Sequence, residues 1–272
     1  MKYRKLGSTG LLVSEIGLGC EGFAEDECRN TKRLLDEAES QGINYFDLYA
    51  SDPKVRASVG EALRGRREKF MIQSHVCSVW KDGQYKRTRN IDEVKAGMEE
   101  MLSLLQTDYI DVGMIHYVDS VKDWHTVADG PVLAYVKELK EKGVIRHIGL
   151  SSHNPEVALE AVKSGDIEVL MFSVNPCYDL QPASEDVEEL WAEKNYKEHL
   201  INMNPERQEL YETCQRLDIG ITVMKAFGGG DLLDEKLSPA GKALTVNQCI
   251  HYALTRPGVS TVLAGARSVE QL

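Results

Sequence analysis

Asp47, His75 and His116 each stand at the end of a short apolar run, and these are residue types that move protons. A histidine titrates near neutral pH, and a neighbouring carboxylate can poise it. Tyr49 lies two residues past Asp47, so a continuing strand would aim both the same way. Histidine and carboxylate from separate strands can also surround zinc or iron(II), which makes Asp47, His75, His116 and His153 a conceivable metal set. No His-x-His or His-x-x-x-His pair supports that set, and histidines hydrogen-bonded at a pocket mouth are the preferred reading. Cys20, Ser151 to His153, Asn175, Lys225 and Arg267 occupy equivalent positions at the ends of other apolar runs.

Those runs alternate with helical patterns. Strands are expected at 15–20, 43–47, 69–75, 109–116, 145–151, 169–174, 219–225 and 260–264. Helices are expected at 31–41, 55–64, 91–105, 132–142, 155–163, 205–217 and 245–254, with Asn154 and Pro155 opening one of them. Several strands are apolar nearly throughout, as in a parallel sheet buried on both faces. Eight strands in alternation with helices favour an α/β (β/α)8 TIM barrel, in which the strand ends converge on one mouth. An open doubly wound sheet is the runner-up. Its glycine signature is half present in Gly17-Leu18-Gly19-Cys20-Glu21-Gly22, but that turn does not lead straight into a helix. Residues 1–14, with Gly7 and Gly10, read as a β-hairpin that plugs the bottom of the barrel. Gln181 to Asn204 is long for a loop and reads as a solvated excursion, with a lid as the alternative. The pattern stops at Leu272 inside a truncated last helix, and a native chain continuing beyond that residue is expected.

The chain of 272 residues is treated as one barrel domain. Its formal charge of −11 argues against nucleic acid or an anionic membrane as the main partner. No apolar stretch of signal-peptide or membrane-span length is present, and the six cysteines include no Cys-x-x-Cys pair. A cytoplasmic protein with reduced thiols is the expectation.

The motifs, in their order, resemble the aldo/keto reductase family over nearly the whole chain. The opening is Leu6-Gly7-Ser8-Thr9-Gly10-Leu11-Leu12-Val13-Ser14 with Gly17-Leu18-Gly19. Gly42-Ile43-Asn44-Tyr45-Phe46-Asp47 and Gly60-Glu61-Ala62-Leu63 match the block around the second strand. Lys142-Gly143-Val144-Ile145-Arg146-His147-Ile148-Gly149-Leu150-Ser151 matches the fifth, and Arg256-Pro257-Gly258-Val259 with Gly265-Ala266-Arg267 the eighth. The resemblance implies NADPH-dependent reduction of a small-molecule carbonyl substrate. It places the adenosine phosphate at Gly265, Ala266, Arg267 and Ser268, and the pyrophosphate along Phe227, Gly228, Gly229 and Gly230. Ser151, Ser152 and Lys225 complete the implied NADP contacts. Lys225 also resembles the lysine of the branch that carries a C-terminal iron–sulfur domain, which would make an electron-transfer domain beyond the C-terminus a partner.

The departures from the family pattern fall at its chemistry. The family uses an Asp, a Tyr, a Lys and a His; Asp47 and His116 hold two of these places. The Tyr place is held by Asp52 and the Lys place by His75. The favoured reading is a reductase with a rebuilt proton donor, His75 or Tyr49, working with Asp47 and His116. The alternatives are a nucleotide-binding module without turnover and a metal-dependent enzyme using Asp47, His75 and His116. Trp80 and Tyr85, with Lys81, Lys86, Arg87 and Arg89 nearby, read as a solvated basic loop or, equally, as lining of a cleft for an acidic or planar substrate.

Overall fold

A computed structural model describes residues 1–23, 28–191 and 202–272. Eight parallel strands close into a barrel in the order β10-β11-β12-β3-β4-β5-β8-β9. They are β3 (Ile16–Gly19), β4 (Tyr45–Leu48), β5 (Met71–Val76), β8 (Ile110–Ile115), β9 (Ile145–Ser152), β10 (Val169–Ser173), β11 (Gly220–Met224) and β12 (Val259–Gly265). Helices α1 (Cys28–Ser40), α2 (Pro53–Ala62), α3 (Ile91–Leu105), α4 (Val121–Ala128), α5 (Pro131–Glu141), α6 (Pro155–Lys163), α7 (Pro205–Arg216) and α8 (Val246–Leu254) accompany the strands.

Helix starts are written in the sequence. Asn154 and Asn204 each accept a hydrogen bond from a first-turn amide, with proline at the next position. Thr245 and Gln248 form a reciprocal capping box. Asp52 does the same local work: its side chain accepts from the Lys54 amide, and Pro53 opens α2. The residue at the family's Tyr place is therefore a helix cap.

Apolar residues form two layers. One packs between strands and helices, and the other fills the barrel with Leu6, Val13, Tyr45, Val112, Met114, Val169, Met171 and Leu263. Leu6 and Val13 come from the hairpin of β1 (Tyr3–Lys5) and β2 (Leu12–Ser14), so the N-terminal hairpin closes the bottom as expected. Gly7 makes that closure possible, because a Cβ there would lie 2.4 Å from the Asp218 carbonyl oxygen and the Gly220 nitrogen.

Three details differ from the sequence reading. Helix α4 is additional; its pattern is short and capped by Ser120. No helix follows β12, where Arg267 to Gln271 form turns. The excursion at 181–204 is preceded by a short 3-10 segment at Tyr178–Leu180 and contains another at Val187–Trp191, and residues 192–201 of the suggested lid lie outside the described residues. Among the described residues, no helix is long and apolar enough to cross a membrane.

The largest difference lies after β5. The segment read as a loop is a hairpin of β6 (Ser78–Lys81) and β7 (Gln84–Arg87). Asp82 and Gly83 form its turn, with φ of 54° and 76°, the backbone that a two-residue hairpin turn requires. The Asp-Gly dipeptide between alternating residues carried that information in the sequence. Arg56 fastens the hairpin from below. It is buried in α2 and donates to the carbonyls of Ala50 and Ser78 at 3.1 Å each. Burial pulls its pKa down to about 10. Arg56→Ala leaves two carbonyls and a void unfilled, and a loss of about 3 kcal/mol in folding stability is expected. Urea unfolding with an unchanged m-value checks it.

Candidate active site

Strand direction brings the sequence-predicted residues to the mouth. Asp47 and Gln73 are paired across β4 and β5, and His75 follows on the same face of β5. His116 leaves β8 with its amide bonded to the Val76 carbonyl, which seats it beside His75.

The side chains join end to end. Gln73 donates from Nε2 to Asp47 Oδ1 at 2.7 Å. Asp47 Oδ1 lies 2.9 Å from His75 Nε2, and His75 Nδ1 lies 2.6 Å from His116 Nδ1. His116 Nε2 is 2.9 Å from the hydroxyl of Tyr85, on β7. Asp47 and His75 are each 2% exposed and His116 8%, whereas Tyr85 is 47% exposed. Gln73 anchors the lower end, accepting at Oε1 from Tyr45 at 2.8 Å and Thr222 at 2.9 Å.

His116 is held well below the usual histidine range. Burial contributes most, followed by the charges of His75, Arg89, His153 and Arg87. Tyr85 is raised, because burial outweighs the opposing pull of Arg87 and Arg89. Arg89 donates to the carbonyls of His116 and Tyr117 and is paired with Asp123 at 2.6 Å. Arg87 donates to the Tyr117 carbonyl and lies over that ring at 4.7 Å.

Two predicted residues stand outside this line. Tyr49 is 40% exposed, and its carbonyl accepts from the Ser78 hydroxyl at 3.1 Å. His153 pairs instead with Asp119 at 2.9 Å. Burial pushes Asp119 upward, but bonds from His153 and Ser152 carry its pKa below the ordinary value. The metal reading lacks a geometry. His75 directs both nitrogens at neighbouring side chains rather than at a common point. Among the described residues, no three His, Cys, Asp or Glu side chains are placed to share a metal ion.

The remaining rim carries the residues implied for a nucleotide. Ser151 alternates toward the mouth and accepts from the Tyr117 amide at 2.8 Å. Ser152 is a correction. Its hydroxyl is fully buried and donates to Asp119 at 3.1 Å, on the opposite side of β9, so its side chain does not line the mouth. After β11, Phe227 leads into Gly228, Gly229 and Gly230 with φ of 60°, 74° and 109°. A Cβ on either of the last two would meet nothing within 4 Å, so this left-handed stretch opens a backbone cradle. After β12, Gly265 and Arg267 are exposed and Ala266 is buried. The Arg267 amide and the Ser268 hydroxyl are both tied to Gln271, which fixes that turn. Ser173, on the inward side of β10, has a buried hydroxyl with no hydrogen-bond partner. An open glycine cradle after β11, an exposed arginine after the neighbouring strand β12 and an orphan hydroxyl fit a phosphate-bearing dinucleotide with a polar end group.

Backbone strain gathers at the same rim. Cys77, Tyr117 and Lys225, just beyond β5, β8 and β11, have φ of 74°, 54° and 57°. Non-glycine residues hold this conformation at a cost of about 1–3 kcal/mol, and such strain clusters at functional sites. Two surface clefts lie at the other end of the barrel, beside Arg67 and Tyr109 and beside Arg4 and Arg256. In barrels of this kind that end serves stability.

A closed parallel barrel with titratable side chains and a glycine cradle on one mouth defines a TIM-barrel enzyme. Residues 15–248 match the model of the aldo/keto reductase family, and the chain belongs to that family of oxidoreductases. It is 31% identical over 287 residues to the uncharacterised oxidoreductase YqkF of Bacillus subtilis, covering 100% of this chain and 89% of that protein. The aldo-keto reductase YhdN of the same organism is 25% identical, over 100% and 87% of the two chains. Among solved structures, the holo form of aldo-keto reductase AKR11C1 from Bacillus halodurans superposes with a TM-score of 0.77 at 27% identity, covering 100% of this chain and 88% of that one.

Proposed function

We propose that this protein reduces a small carbonyl compound with a nicotinamide nucleotide, preferably NADPH, and draws its proton from the Asp47–His75–His116 line. The observation that carries the reading is that line itself: three titratable groups at 2.9 and 2.6 Å, ending at the barrel mouth. A bound dihydronicotinamide supplies hydride. The chain's own part is to bind, orient and protonate. Gly229 and Gly230 offer open backbone for the pyrophosphate, with Gly228 making the turn against Leu232, and Ser151 and Ser173 stand on the inward side of their strands for the ring. Lys225 shapes the loop, accepting at its carbonyl from Asn175 at 2.9 Å. Asp47 holds His75, and His75 holds His116.

Arg267, with Ser268, is suited to a 2′-phosphate, since a guanidinium keeps its charge and matches phosphate oxygens. Arg267→Ala is expected to raise the Kd for NADPH about 10- to 100-fold, the worth of a charged hydrogen bond. The Kd for NADH should stay within about threefold, because that nucleotide has no phosphate there. A fluorescence titration with both nucleotides, followed by a panel of aldehydes and ketones, tests the proposal. Absence of nucleotide binding would overturn it.

A further inference from the structure

We infer that the hydroxyl of Tyr85, carried on the β6–β7 hairpin, gives the proton to the substrate oxygen, and that His116, His75 and Asp47 recharge it. This inference rests on the carbonyl-reductase reading above. His75 is enclosed, with both ring nitrogens bonded, so it holds a proton but does not present one at the mouth. Asp52, at the family's Tyr place, is turned into the start of α2. Tyr85 alone in the line is both bonded to it and broadly exposed.

The bonding partners fix the proton positions. A carboxylate only accepts, so His75 Nε2 donates to Asp47. The contact between the two Nδ1 atoms holds a single proton, which leaves two states of the line. In the discharged state both imidazoles are neutral. His116 Nδ1–H then donates to His75, and the Tyr85 hydroxyl donates to His116 Nε2. In the charged state His75 is an imidazolium beside the Asp47 carboxylate. His75 Nδ1–H then donates to His116, whose Nε2–H donates to the Tyr85 oxygen. Only the charged state leaves the Tyr85 O–H free to point at a ligand.

The reaction step balances within that scheme. Hydride adds to the carbonyl carbon, and the π pair of the C=O bond becomes a lone pair on oxygen. That lone pair takes the proton of Tyr85 as its O–H bond breaks. The phenolate takes the proton of His116 Nε2, His116 Nδ1 takes the proton of His75 Nδ1, and His75 becomes neutral. One hydride and one proton have formed an alcohol, and the line regains a proton from water at Tyr85 afterwards. The charged groups facing the line suit these steps. The Asp47 carboxylate, from β4, lies 2.9 Å from His75 Nε2 and is the counter-ion of the charged state. Arg87 and Arg89 favour a transient Tyr85 phenolate and, with His153, keep His116 neutral. Asp119 and Asp123 are already paired, to His153 and Arg89.

The test is Tyr85→Phe, which keeps the ring and removes the hydroxyl. NADPH affinity and melting temperature should be unchanged, and kcat for carbonyl reduction should fall about 10²- to 10³-fold, the weight of a general acid. The primary isotope effect from 4-deuterated NADPH should become fully expressed on kcat, a change that altered folding or binding would not cause. A variant within about threefold of wild-type kcat removes Tyr85 as the donor and leaves the reductase reading standing. Wild-type protein that binds NADPH yet reduces no member of the carbonyl panel overturns the reductase reading itself.

Discussion

Asp47→Asn should bind NADPH as the wild type does and reduce carbonyls about 10³-fold more slowly, comparable to the loss when a buried carboxylate partner of a catalytic histidine is neutralised. Asparagine keeps the shape, and its oxygen can still accept from Gln73 and His75. It cannot keep the charge. An imidazolium on His75, 2% exposed, would then be buried without a counter-ion. The line would remain in its neutral arrangement, with the Tyr85 proton directed at His116. Single-turnover kinetics separate this from a binding defect, since KM and the NADPH Kd should move little while the hydride-transfer rate collapses. A variant with wild-type kcat would separate Asp47 from proton supply.

Gly97→Ala should lower kcat about 10- to 100-fold although Gly97 touches neither ligand nor line, since a misplacement near 1 Å can cost that much. Gly97 sits in α3, where an added Cβ would lie 2.5 Å from Cγ1 of Val79 on β6. Valine is stiff at χ1, so the strand rather than the side chain must give way. Val79 pairs with Lys86, the neighbour of Tyr85 on β7, so the displacement reaches the hydroxyl. The same hairpin is clamped to α3 by Glu93, which receives Lys81 at 2.6 Å, Lys86 at 2.7 Å and Thr88 at 2.6 Å. Those bonds hold the Glu93 carboxyl down to about 2. The clamp is therefore fully formed above the ordinary carboxylate range and released only as pH falls toward about 2. It does not contribute to any pH dependence near neutrality. The double variant Gly97→Ala/Val79→Ala removes the collision, and recovery of most of the lost kcat would show that hairpin position is the cause.

The barrel was legible because its strands are apolar on both faces and its helices carry their own caps. Asn90 and Asn154 announce α3 and α6, and those helices run over the expected residues, Ile91–Leu105 and Pro155–Lys163. The β6–β7 hairpin was not read, since its residues are mostly polar and exposed and its pairing depends on Asp82-Gly83. The proximity of Asp47, His75 and His116 followed from counting strand ends. Their order did not, because it depends on which ring nitrogen faces which neighbour. Tyr85 was classed with a basic loop, and sequence has no means of folding that loop back over β8. Ser152 looked equivalent to Ser151, but one residue of strand alternation sends its hydroxyl to the other face.

Gln73 gives the proton line its lower boundary. Its carbonyl is taken by Tyr45 and Thr222, while its amide nitrogen reaches Asp47 and lies 3.2 Å from the sulfur of Met171. A carboxamide does not titrate at ordinary pH, and burial holds Tyr45 well above its usual pKa, so the floor of the barrel conducts nothing onward. Among the described residues, Tyr85 is the exposed end of the line. On the proposal above, a docked substrate covers that end, and one turnover draws on the proton the line already holds. Protein equilibrated in heavy water would carry deuterium along the line, and its single-turnover reduction should be slower than in light water.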